Sequence, residues 1–143
     1  MSLAAAVLTA GAVVGTAQTA SALPNKDVCT PYYFGWELNG GWPATADVCI
    51  MRSGNYLQAR VTFRNDTLEP MWVNANPKVN NNNNAPWQGW TYVPSGGGAT
   101  YFSGPWLKDN SPNSYDRAVT DILWSKADGS FLNTISDAFS LGG

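Results

Sequence analysis

A strict alternation in the first half of the chain constrains its fold most. Within residues 56–64, Leu57, Ala59, Val61 and Phe63 interleave with Gln58, Arg60, Thr62 and Arg64. Side chains two apart on a strand share a face, so this period sets an apolar face against a core and a polar face toward water. No window sustains the 3.6-residue period of an amphipathic helix. Short runs rich in β-branched and aromatic residues recur instead between clusters of Gly, Pro, Asn and Asp, the pattern of strands joined by turns.

The expected strands follow from those runs. Residues 30–38 precede Asn39-Gly40-Gly41, and residues 47–52 and 56–64 flank Ser53-Gly54-Asn55, a tight-turn sequence. Asn65-Asp66-Thr67 turns the chain into residues 71–74, and residues 88–93 and 99–103 read as a pair around Pro94-Ser95-Gly96-Gly97-Gly98. Residues 118–126 and 130–135 flank Ala127-Asp128-Gly129, the clearest hairpin signal of the chain. Residues 136–141 leave room for a brief helix. Seven or eight short strands at this spacing predict an all-β fold, a single-domain antiparallel β-sandwich or barrel. A length of 143 residues suits one domain.

Two segments read as loops. Residues 80–84 are five consecutive asparagines, and asparagine favours turns over strands. Residues 108–116 carry Asp109, Asn110, Asn113 and Asp116, oxygen ligands of the kind Ca²⁺ takes, but their spacing matches no EF-hand. An Asx-rich turn is the simpler reading, and no metal site is expected.

The N-terminus reads as a targeting segment. Residues 3–14 are apolar and uncharged, and Ala20-Ser21-Ala22 gives the small-x-small pattern of signal cleavage. No Lys or Arg precedes the run, a departure from the usual basic opening of an export signal. The run is shorter than the roughly 20 residues a membrane span needs. The expected division is a signal peptide over residues 1–22 and a secreted β-sandwich domain over 23–143, without membrane insertion. Both cysteines, Cys29 and Cys49, fall in the mature part, and an even count in an exported chain predicts one disulfide.

Composition excludes several kinds of chemistry. Eight Lys and Arg against 10 Asp and Glu give a net charge of −2, so there is no basic field for nucleic acid. The chain has no His, which removes Ser-His and Cys-His nucleophile pairs and imidazole metal ligands. Nothing in the sequence pairs Glu37 with Glu69 as the two carboxylates of a glycosidase. Ser125 and Lys126 are strand neighbours and point to opposite faces. No enzyme activity and no cofactor are expected.

The anomaly is tryptophan. Seven occur in this short chain: Trp36, Trp42, Trp72, Trp87, Trp90, Trp106 and Trp124. A core of this size absorbs three or four, with strand residues Trp72 and Trp124 the expected ones. Loop aromatics bring large contact area at low rotamer cost. The expected function is therefore a secreted, non-enzymatic protein-binding module, an inhibitor or an adaptor of an extracellular complex. Trp36, Glu37, Leu38 and Trp42 would form its presented loop, with Trp87 and Trp90 as a second patch. The alternative is a carbohydrate-binding module in which Trp42, Trp87 and Trp90 stack on sugar faces. A structural component of a spore or cell surface is a third reading, and rings packed as lids over the core would serve none of these.

One stretch resembles a known family. Cys29, Tyr33, Trp36, Cys49 and the run Gln58-Ala59-Arg60-Val61-Thr62-Phe63-Arg64-Asn65-Asp66-Thr67 are similar to the small secreted actinobacterial α-amylase inhibitors of the Tendamistat type. The turn at Val93-Pro94-Ser95-Gly96-Gly97 is also similar. The resemblance implies an antiparallel β-sandwich that presents a Trp-Arg-Tyr triplet on the hairpin between the first two cysteines. Here that position reads Trp36-Glu37-Leu38. An acid where the family has arginine is repelled by catalytic carboxylates, so the resemblance implies the fold and not amylase inhibition.

Overall fold

The computed structural model describes residues 25–38, 42–80, 85–111 and 115–142. The export segment expected over residues 1–22 lies outside them, as do residues 81–84 of the asparagine run and Asn113. The described residues form ten strands: β1 (Lys26–Phe34), β2 (Ala44–Ser53), β3 (Tyr56–Asn65), β4 (Met71–Ala75), β5 (Lys78–Val79), β6 (Thr91–Val93), β7 (Gly98–Ser103), β8 (Leu107–Lys108), β9 (Asp116–Lys126) and β10 (Leu132–Gly142). They make two antiparallel sheets, ordered β1-β2-β3-β7 with β8 also on β3, and β10-β9-β4-β6 with β5 also on β9. The two sheets pack face to face as a β-sandwich.

Prolines raise the strand number above the expected seven or eight. Asn76-Pro77 interrupts the segment that pairs with β9, and Gly104-Pro105 interrupts the one that pairs with β3. Proline has no N–H to give a ladder. The alternation in β3 acts as its spacing predicts: Leu57, Ala59, Val61 and Phe63 are all buried. Phe63 meets Phe34 and Phe102 edge-on at 6.0 and 5.7 Å, and Val73, Ile122 and Trp124 complete the core from the opposite sheet.

The two hairpins expected from turn chemistry are present. Ser53 pairs with Tyr56 across Gly54-Asn55, with Gly54 at φ +59°. The Gly129 N–H donates to the Lys126 carbonyl at 2.8 Å between β9 and β10. Two expectations are corrected. The 88–93 and 99–103 runs are not a hairpin, because β6 joins β4 in one sheet and β7 joins β3 in the other. Residues 94–97 carry the chain across the sandwich, held by Gly96 N–H on the Thr67 carbonyl and Gly97 N–H on the Asn65 carbonyl. Residues 136–141 belong to β10 and not to a helix. A bulge between Ile135 and Ala138, with Asp137 at φ +57°, shifts the register there.

Cys29 and Cys49 are joined and stand directly opposite each other in the β1–β2 register. Their Cα atoms are 4.1 Å apart, the close spacing of a non-hydrogen-bonded pair. Pairs alternate along the ladder, so Pro31 opposite Asp47 is of the same kind. The missing N–H of Pro31 therefore faces the open edge of β1, where it guards against stray strand pairing. The β1 and β10 edges are stitched by side chains. The Tyr32 hydroxyl donates to the Phe139 carbonyl at 2.7 Å and accepts from its N–H at 2.8 Å, and the Ser140 hydroxyl donates to the Val28 carbonyl at 2.7 Å.

Candidate binding surface

The connection from β1 to β2 begins with a turn that sorts its residues. Gly35 adopts φ +77°, a conformation L side chains rarely take, and the Leu38 N–H donates to the Gly35 carbonyl at 3.0 Å. Trp36 and Glu37 thus hold the two central positions and project from the fold, with Trp36 69% exposed. Leu38 is corrected from its expected place in the presented loop. The fourth residue of the turn folds back, and Leu38 lies in the core at 4% exposure. Trp42 is 74% exposed on the returning side, ahead of buried Pro43 and of Ala44, which pairs with Phe34. Phe34 roots the turn, its ring 5.8 Å from that of Trp124.

Beyond the Tyr32 bridge, toward this turn, the edges of β1 and β10 leave a groove of about 230 Å³. Tyr32, Tyr33, Phe34 and Trp36 line it together with Glu37 and Asn133. Trp124 lies beneath them.

Trp72 corrects the second core expectation. Met71 and Val73 point inward, so Trp72 between them points out and is 36% exposed. Its register places it beside Ser125 and Tyr92, and Ser125 beside Leu132, giving one row across the outer face of the second sheet. The rings of Trp72 and Tyr92 meet edge-on at 5.4 Å, and the Trp72 Nε1–H donates to the Ala127 carbonyl at 3.3 Å. Trp87 and Trp90 border the same sheet. Gln88 N–H on the Ala75 carbonyl and Gly89 N–H on Asn74 Oδ1 lay residues 88–90 along β4.

The expected site residues therefore fall in two places. Trp36, Glu37 and Trp42 share the β1–β2 connection, while Trp87 and Trp90 stand on the other sheet. The three-ring platform of Trp42, Trp87 and Trp90 is not assembled. Trp124 alone among the tryptophans is buried. Sequence reasoning missed Trp72, Tyr92 and the groove residues Tyr33 and Asn133. The in-out-in order of Met71, Trp72 and Val73 carried the signal for the first of these.

Buried charge serves the fold. Arg52 lies 2.8 Å from Asp109 and 3.3 Å from Asp116, all three side chains nearly inaccessible, and Asn80 donates to Asp116 at 2.7 Å. The two carboxylates considered for Ca²⁺ thus turn toward a guanidinium. Among the described residues no group of three or more His, Cys, Asp or Glu is placed to hold a metal. Burial pushes the Asp121 carboxyl up, but hydrogen bonds from Lys78, the Asp137 N–H and Asn76, with the Lys78 charge, hold it below the usual carboxylate range.

Fold and surface together define a class: an all-β sandwich, stapled by one disulfide, that displays aromatic side chains from a turn and from a sheet face. No protein family, curated protein or solved structure matches this chain.

Proposed function

We propose that this chain is a secreted, non-catalytic module that binds an extracellular protein through the β1–β2 connection, as an inhibitor or as an adaptor. The observation that carries the reading is the display of Trp36 and Trp42, 69% and 74% exposed, on a connection anchored in the core by Phe34 and Leu38. Large rings held out by a rooted turn lose little freedom on binding, which is how interface anchors contribute most of an affinity. The disulfide is compatible with an oxidising, extracellular setting, and no helix among the described residues is long and apolar enough to cross a membrane. By its resemblance in sequence, the connection corresponds to the segment on which Tendamistat-type inhibitors present their triplet, and Glu37 favours a partner other than an acidic cleft.

Affinity capture from the medium of the producing cells, with the wild type and the Trp36→Ala, Trp42→Ala double variant compared by mass spectrometry, tests the reading. A protein retained by the wild type and released by the variant supports it. An identical protein set on both overturns it.

A polysaccharide reading is favoured by one observation, the Trp72–Tyr92 row bordered by Trp87 and Trp90 on the second sheet. Exposed aromatic side chains gathered on one sheet face offer rings on which a sugar can stack. Retention on chitin, cellulose or starch that Trp90→Ala abolishes would put this reading first.

A further inference from the structure

We propose that the groove between β1 and β10 receives a single cationic side chain, Lys or Arg, from the protein partner. The inference rests on the protein-binding reading above and names the chemistry of that contact. Its walls are aromatic: Tyr32, Tyr33, Phe34 and Trp36. Ring faces attract cations through their quadrupoles. Glu37 is the one charged residue in the lining, and none of the chain's eight Lys and Arg lines the groove.

Several of the chain's own cations are engaged elsewhere. Arg52, Arg64 and Lys78 are held by Asp109, Asp116, Asp66 and Asp121, and no ion pair among the described residues involves Glu37. The groove therefore presents a carboxylate beside aromatic side chains, with no ion-pair partner for it among the described residues. On the far wall, Asn133 Oδ1 accepts from the Thr134 N–H at 2.7 Å and keeps a second lone pair for a donor. Lys and Arg carry donors and no acceptor, matching this lining. Size points the same way. At about 230 Å³ the groove falls short of the roughly 300–1,000 Å³ of small-molecule pockets and suits one long side chain.

Turn geometry explains why the acid stands there. The turn throws Trp36 and Glu37 out together, while Leu38 returns to the core and fixes their position. A partner residue entering the groove meets ring and carboxylate at once, both already in place.

The test titrates the isotope-labelled protein with N-acetyl-lysinamide and N-acetyl-argininamide, with N-acetyl-norleucinamide as the uncharged control of similar shape. Resonances are followed at the Trp36 indole and the Tyr33 ring. The expected result is saturable shifts with the two cations, centred on those residues, and affinity reduced about fivefold in Glu37→Gln. Equal binding of norleucinamide, shifts centred elsewhere, no binding of the cations, or an affinity in Glu37→Gln within twofold of wild type would each overturn the proposal. Its failure is distinguishable from failure of the protein-binding reading. Capture that is lost in the double tryptophan variant but survives in Glu37→Gln keeps the partner and removes only the cation.

Discussion

Truncating Leu38 and truncating Trp36 should have opposite consequences, although the two residues are separated by only one position. Leu38 is 4% exposed and belongs to the core. Leu→Ala changes at such sites cost about 2–5 kcal/mol, part transfer energy and part cavity. Because Leu38 lies in a connection that can settle around the gap, Leu38→Ala should fall in the lower half, about 2–3 kcal/mol. Trp36 is 69% exposed, so Trp36→Ala should change stability by no more than about 0.5 kcal/mol. Urea unfolding followed by circular dichroism separates the two. With a slope of about 1–3 kcal/mol/M, Leu38→Ala moves the midpoint down by about 0.7–3 M, and Trp36→Ala leaves it nearly in place. Equal shifts in the two variants, or none in Leu38→Ala, would refute the sorting of the turn into a displayed half and an anchored half.

Three further outcomes follow from the buried charges and the disulfide. Arg52→Ala leaves Asp109 and Asp116 buried without their cation and should cost about 3–5 kcal/mol, measured by the same unfolding curves; a loss under about 1 kcal/mol would show that water reaches the site. Asp121 titrates below its ordinary value, so its pairing with Lys78 stabilises the fold in full above about pH 4. That stabilisation is lost as pH falls through the lower folded value, and Asp121→Asn should flatten the acid side of the melting temperature profile, below about pH 4. Reducing the Cys29–Cys49 bond, which spans a separation of 20 residues, should lower stability by about 3 kcal/mol with the far-ultraviolet spectrum unchanged.

Local rules were sufficient where one stretch of chain decides the outcome. The alternation in residues 56–64, the Gly54-Asn55 turn, the Asp128-Gly129 hairpin and the cysteine pair were all legible in this way, and so was the excess of tryptophan over the interior available. They failed where the outcome depends on a distant partner. Pro94 to Gly97 is good turn sequence whether its flanks pair with each other or enter different sheets, and tethers from Thr67 and Asn65 decide for the second. Ser136 and Asp137 form a bulge that throws the period of β10 out of phase, which hid a strand behind an apparent helix. Asp109 and Asp116 read as open turn residues because Arg52, which holds them, lies more than fifty positions away. Leu38 was misplaced for a subtler reason: a loop aromatic and the aliphatic residue two positions on look alike in sequence until the turn hydrogen bond assigns them to opposite sides.

The placement of the sulfur atoms also bears on how the chain folds. Cys29 and Cys49 face each other across neighbouring strands, and a slip of a single residue would send their side chains to opposite surfaces of the sheet. The covalent bond fits the aligned β1–β2 pair, and once closed it opposes such a one-residue slip. Oxidation in this molecule thus locks the strand pairing from whose end the turn bearing Trp36 and Glu37 springs.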